Sequence, residues 1–297
     1  MTVLGTVFLP QNPPERLRDL AVVAEECGLE ELWLWEDCFR EGGLTSATAA
    51  LAWTEQLRVG IGLLPMPLRT VAVTAMEVAA VQRMFPGRFH LGVGSGVPYW
   101  MAQAGVKVAS PLSLMREYLP ALRSLLRGDE LTVAGDYVKL DRVQLDWPPT
   151  EPVPILVGAG GPKALSVSGE LADGTILTGG TTPEGVRRAR AHIETGRARA
   201  GRTDAHRVTV YVLAATGPGA LSRWEAEARR WNFDPADDVG VAGDAATVAA
   251  GVMRWADAGA DTVVLQPTSD DPDPEGFIEF VAREVRPLVP RPGPLFP

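Results

Sequence analysis

Residues 152–180 read PVPILVGAGGPKALSVSGELADGTILTGG and hold a strand, a glycine turn, a helix and a second strand. Ile155, Leu156 and Val157 form an apolar run without alternation, the pattern of a parallel strand covered on both faces. Gly158, Ala159, Gly160 and Gly161 let the backbone turn with no bulky side chain in the way. Pro162 suits the first helical position, where a missing N–H costs nothing. A helix opening on bare N–H groups after a strand favours an anion, most often a phosphate. The reading is a βαβ unit with a candidate phosphate cradle at residues 160–165: Gly160, Gly161, Pro162, Lys163, Ala164 and Leu165. Two other readings stay open locally. One is a purely structural turn; the other is a dinucleotide fingerprint, which fits less well because Lys163 stands where its third glycine belongs.

The rest of the composition sets bounds. With 297 residues, 46% of them hydrophobic, the chain can bury a large core. A net charge of −9 argues against nucleic acid or an acidic membrane as partner. MTVLGTVFLP carries no basic region before its short apolar run, and no stretch is long enough for a membrane span, so a soluble cytoplasmic protein is expected. Two cysteines, Cys27 and Cys38, and three unclustered histidines point to no metal.

Strand and helix patterns alternate along the chain. Strands are expected at Val3–Leu9, Glu31–Trp35, Arg58–Leu64 and Arg88–Val93, then in the two halves of the βαβ unit, and at Val208–Ala214 and Thr262–Leu265. Helical stripes lie between them, with Gly28 closing the first helix and Pro120 expected to kink the helix over 111–127. A small hairpin about Ala134-Gly135-Asp136 falls in an insertion at about 129–152, after the fourth helix. Eight strand–helix repeats predict an α/β (β/α)8 TIM barrel spanning 1–297 as one domain, with an open doubly wound sheet as the alternative. In such a barrel the site lies at the strands' carboxyl ends. These carry Glu36-Asp37-Cys38, Gly62–Pro67, Gly94-Ser95-Gly96 on to Tyr99 and Trp100, Gly158–Lys163 and Thr178–Gly180. Flat glycine edges suit a large planar cofactor that supplies the chemistry itself.

Four segments carry a resemblance: VFLPQNPPERLRDLAVVAEECGLEELWLWED, RVGIGLLPMPLRTV, GRFHLGVGSG and PILVGAGGPKALSVSGELADG. Together they make the chain similar to the bacterial-luciferase-like oxidoreductases, and within them to the deazaflavin branch that includes methylenetetrahydromethanopterin reductase. The GPKAL element resembles the turn that holds the coenzyme phosphate in that branch. The resemblance implies a (β/α)8 barrel with coenzyme F420 over the strand ends, Gly62, Leu63, Gly94, Ser95 and Gly96 beside it, and a non-proline cis peptide at Gly62-Leu63 backing the ring. It also implies a small-molecule substrate. Dimers are frequent in the family, and with the small-residue helix near Ser46–Ala52 they point to a homodimer.

Two departures concern the proton chemistry. Glu36-Asp37 stands where many deazaflavin members have Asp-His, and Val97 where several have an acid. Asp37 and Glu36 are therefore the catalytic candidates, with Asp37 at the histidine's place and favoured for proton transfer. Tyr99 and Trp100 are the candidate substrate wall. Each group also has a structural reading: a cap of the following turn for the two acids, loop packing for the two aromatics, core packing for His90, and a solvated helix face for Arg187, Arg188, Arg190, Arg197, Arg199 and Arg202. Three functions follow: an F420-dependent oxidoreductase, an FMN-dependent monooxygenase that would need a flavin reductase partner, or a non-catalytic flavin- or deazaflavin-binding protein.

Overall fold

The computed structural model describes residues 2–290; Met1 and residues 291–297, both inside the expected single domain, lie outside the described residues. The chain alternates β1 (Val3–Val7), α1 (Leu17–Glu26), β2 (Glu31–Leu34), α2 (Gly43–Ala52), β3 (Arg58–Pro65), α3 (Val71–Met84) and β4 (Phe89–Gly94). Then follow α4 (Pro98–Gln103), α5 (Pro111–Leu126), the hairpin β5 (Leu131–Ala134) and β6 (Lys139–Val143), and β7 (Ile155–Gly158). The remainder is α6 (Pro162–Leu171), β8 (Gly174–Leu177), α7 (Pro183–Ala200), β9 (Arg207–Ala215), α8 (Ala220–Arg230), β10 (Gly240–Ala242), α9 (Ala245–Asp257), β11 (Thr262–Gln266) and α10 (Pro274–Glu279). Every neighbouring pair in the order β1-β2-β3-β4-β7-β8-β9-β11 is parallel, and β11 returns to β1, so eight strands close a TIM barrel. The open-sheet alternative is thereby excluded.

Local chemistry sets the element ends. Gly28 adopts φ +73°, while its N–H reaches Glu25 O and the Leu29 N–H reaches Ala24 O, so α1 ends in a paired glycine cap. Thr70, Thr182 and Asp244 each accept an N–H from the first turn of the following helix. No helix among the described residues is long and apolar enough to cross a membrane.

Alternation along the strands sorts their side chains. Outward residues such as Leu4, Leu32, Val210 and Val263 pack against the helices, while Val7, Trp33, Leu156, Ile176, Tyr211 and Val264 fill the barrel. Trp33 lies across Gly60, where a Cβ would come within 2.6 Å of the indole. The floor is ionic. Buried Glu31 accepts from the Trp33 indole N–H at 3.0 Å, faces His90 Nε2 at 3.2 Å, and pairs with Arg207, whose Nε donates to Thr262 at 2.9 Å. Burial opposes the charge on Glu31, but Arg207 and His90 outweigh it and hold the carboxyl well below its usual range. His90 is thus a packing histidine, stacked on Trp33 with ring centroids 6.0 Å apart.

Four further details bear on these elements. The three-residue β10 joins β9 through Val241 and Ala214, beyond the reach of β11, and is too short to show a period. α8 is a regular helix over Ala220–Arg230. α5 runs through Pro120 as one helix; the proline lies on the exposed face, where water can satisfy the carbonyl left without a donor. The arginines of α7 are not uniformly solvated. Arg197 is only 7% exposed and donates to Asp204 O, while Arg190 clamps Asp261 at 2.6 Å.

Candidate active site

The carboxyl end of β2 carries both acids, and packing separates them. Glu36, 9% exposed, forms a two-point ion pair with Arg69 and accepts the Gly43 N–H at 2.7 Å. It therefore ties the end of β2 to the start of α2 and to the segment after β3. Asp37 is half-buried, and its carboxylate accepts no hydrogen bond from any described residue. Burial raises its pKa to about 6, against the pull of Arg40 and helped by Glu41. That value suits a group that gives or takes a proton near neutrality. Cys38 and Phe39 follow, joined by a cis peptide that nothing in the sequence signalled.

At β3 the Gly62-Leu63 peptide is also cis. Its surroundings explain three of the glycines. A Cβ on Gly62 would lie 2.1 Å from the Tyr211 hydroxyl; one on Gly94 or Gly158 would lie 2.5 or 2.1 Å from Leu63 Cδ2. The Leu63 side chain thus stretches across the ends of β4 and β7, and these glycines make room for it. The flat edge inferred from sequence is filled by a leucine. Beneath it, Tyr211 meets Trp33 and Trp35 edge-on, with centroids 6.1 and 5.5 Å away. Gly96 has φ +68°, a left-handed turn that favours glycine beside half-buried Ser95.

The turn after β7 is different. Gly160 and Gly161 have nothing within 4 Å of a built Cβ, and both are exposed. Gly161 caps α6 at φ −85° and ψ 153° without any side-chain cap. Ala159 N–H is used by Ile176 O and Leu165 N–H by Gly161 O. The N–H groups of Gly160, Gly161, Lys163 and Ala164 find no acceptor among the described residues. Pro162 contributes no donor, so four free N–H groups and the Lys163 ammonium face open space at one helix start. Of the aromatic pair, Tyr99 is 68% exposed on α4 and Trp100 is half-buried beside it.

Two residues at this end escaped the sequence reading. Arg69, the partner of Glu36, looks in sequence like any arginine after a strand. Gln266 ends β11, and its Oε1 lies 3.2 Å from a built Cβ on Gly179, just after β8, the strand on the other side of β9. Cys27 and Cys38 are free, and no cluster of three potential metal ligands occurs among the described residues.

Residues 2–237 match the family model described as luciferase-like monooxygenase, most of the chain. The chain belongs to the luciferase-like monooxygenase family. Among its relatives, a 5,10-methylenetetrahydromethanopterin reductase of Methanolobus tindarius is 28% identical over 198 residues, 67% of this chain and 60% of the relative. An F420-dependent glucose-6-phosphate dehydrogenase of Nakamurella multipartita is 33% identical over 192 residues, 58% of this chain and 55% of the relative. The chain thus spans less than two thirds of the length of either relative. In fold, the luciferase-like barrel superimposes on the coenzyme F420-dependent tetrahydromethanopterin reductase of Methanopyrus kandleri with a TM-score of 0.84, at 22% identity, covering 96% of this chain and 99% of that one.

Proposed function

We propose that this protein is a coenzyme F420-dependent oxidoreductase that moves a hydride between the deazaflavin and a small organic substrate. The observation that carries the reading is the open cradle at the start of α6, in the GPKAL segment, with its free N–H groups and Lys163. Those donors fit a phosphate group, and the names of the relatives supply the coenzyme class. When bound, the deazaflavin supplies a ring carbon that gives or takes a hydride and activates oxygen poorly.

The chain's own residues would do the rest. Gly160, Gly161, Lys163 and Ala164 hold the phosphate by charge-assisted hydrogen bonds. Leu63, pinned over Gly94 and Gly158, backs the ring from one side. Asp37 handles the proton, while Glu36 holds its loop in place through Arg69 and Gly43. Tyr99 and Trp100 wall the substrate. The homodimer expected from the family resemblance is part of this reading, but Ser46, Ala47 and Ala50 of α2 pack into the chain's own interior and offer no face for it. Titrating the purified protein with F420 and with FMN, followed by fluorescence, tests the reading. Binding of F420 is expected; tight FMN binding with none of the deazaflavin would transfer the protein to the FMN-dependent monooxygenases.

A further inference from the structure

On α3 the residues turned to solvent are Val73, Met76, Ala80, Arg83 and Met84, apolar but for the arginine. Val73 is 44% exposed, Met76 61% and Met84 56%. A surface helix ordinarily turns charge outward, as α7 does with Glu184, Arg187 and Arg188 and α8 with Arg229 and Arg230. α3 is apolar towards the barrel and away from it, the pattern of a helix covered on both sides. Single exposed apolar residues are ordinary; a row of them along one helix marks a contact surface. Trp147 extends the row. It is 72% exposed, and the Arg83 guanidinium lies 5.3 Å from its ring centroid while donating to Pro148 O at 3.0 Å.

The row is matched to a second copy of itself. Ala80 sits at its centre, with Met76 and Met84 four residues to either side and Glu77 and Arg83 three. If a two-fold axis passes beside Ala80 and the two α3 helices run antiparallel, each residue comes level with the one an equal distance beyond the centre. Met76 is then level with Met84 of the partner subunit, and Glu77 with Arg83 of the partner subunit. The small Ala80 lets the helices approach to about 8–10 Å between axes. The acid and the base of the face offset each other, as two chains each carrying a net charge of −9 require of a shared contact. This symmetric spacing is the reason to name a second copy rather than an unrelated partner. Glu77 also lies 3.4 Å from Arg69, the residue that holds Glu36, so the face touches the ion network of the candidate site.

We propose that α3 and Trp147 form the contact face of a homodimer, in which two copies pack their α3 helices antiparallel across Ala80. This rests on the homodimer of the reading above, gives it a face, and uses nothing of the coenzyme assignment.

The test is sedimentation velocity on the coenzyme-free protein. At about 20 μM the parent should run as a dimer, since interfaces of ordinary size hold at micromolar concentrations or below. Ala80→Arg adds an exposed charge to each monomer but buries two unpaired like charges beside the axis. It should keep its circular dichroism and run as a monomer, a loss of affinity of about 100-fold or more. Met76→Lys, which sets an ammonium against Met84 of the partner subunit, should do the same and serves should the first variant not fold. Register is read from Ala80→Cys. Cysteines meeting across the axis lie within about 4.4–6.8 Å between Cα atoms, the span of a disulfide, so mild oxidation should link the two copies. Ala198→Cys, on the exposed side of α7, should stay unlinked. A monomeric parent, a dimer that survives in a folded charge variant, or no link in Ala80→Cys overturns the proposal. A monomeric parent also removes the homodimer from the reading above and leaves the coenzyme assignment standing; failure of F420 to bind a dimeric parent refutes that assignment and leaves this face intact.

Discussion

Replacing Asp37 by Asn should stabilise the protein while disabling it, and the first effect can be measured without knowing the substrate. The folded carboxyl titrates at about 6 instead of 3.8, chiefly because burial penalises its charge. The native state therefore holds this proton more tightly than the unfolded chain does. The resulting penalty is absent well below pH 3.8, grows between 3.8 and about 6, and is complete above that. A displacement from 3.8 to about 6 corresponds to about 3 kcal/mol. Because part of the carboxylate is open to water, about 2 kcal/mol is the figure to expect. Asn cannot ionise and escapes the penalty. Urea denaturation of the coenzyme-free protein should thus find Asp37→Asn more stable than the parent by about 2 kcal/mol at pH 8, the gap closing to about 1 kcal/mol or less at pH 4.5. Once a turnover assay exists, the same variant should keep coenzyme binding and lose about 10²- to 10⁴-fold in rate. A stability difference independent of pH, or an Asn variant less stable at pH 8, would refute the account of this carboxyl as a desolvated, unpaired acid.

Gly161→Val meets no atom within 4 Å and keeps an extended φ, so melting should be unchanged while F420 affinity falls by about 1.5–3 kcal/mol, the worth of a charge-assisted hydrogen bond; equal affinity in the variant removes the cradle from the account. Gly158→Ala forces Leu63 aside and should cost about 1–3 kcal/mol in chemical denaturation, with much of the loss recovered in the double variant Gly158→Ala, Leu63→Ala; simple additivity of the two changes would disprove the contact. Arg207→Met leaves Glu31 buried without its main partner and should destabilise by about 3–5 kcal/mol, whereas a loss under 1 kcal/mol would show that the floor charges are better solvated than their burial implies.

How far the sequence carried depends on how local each cause is. The βαβ unit was legible because its signals lie within a few residues: an unalternated apolar run, then glycines, then a proline at the start of α6. The unpaired N–H groups at the start of α6 were legible for the same reason. The glycines at 62, 94 and 158 were legible as glycines but not as to cause. A planar cofactor explains a smooth edge, yet Leu63 reaches Gly94 and Gly158 from another strand, and Tyr211 reaches Gly62 from a residue 149 positions later in the chain. Arginines at helical spacing on α7 read as a wet face, and Arg197 is buried because the chain turns back to set Asp204 O beside it.

Barrel closure creates the least legible features, and two of them lie at the candidate site. Gln266 acquires an inward direction only when β11 pairs with β1, and Arg69 becomes the partner of Glu36 only when β2 and β3 lie side by side. The second pairing decides how the acids are read. From sequence, Glu36 and Asp37 are two equivalent carboxylates leaving a strand in different directions. Arg69 and the Gly43 N–H take up Glu36, which fixes the loop, and the neighbour is left desolvated without a cation in contact. With Arg69 engaged by Glu36, Asp37 has no cation in contact, and its own burial raises its pKa to about 6 against the pull of Arg40. We therefore propose that the acid kept from pairing is the one that reacts, a role read from its neighbour's partner rather than from its own residue type.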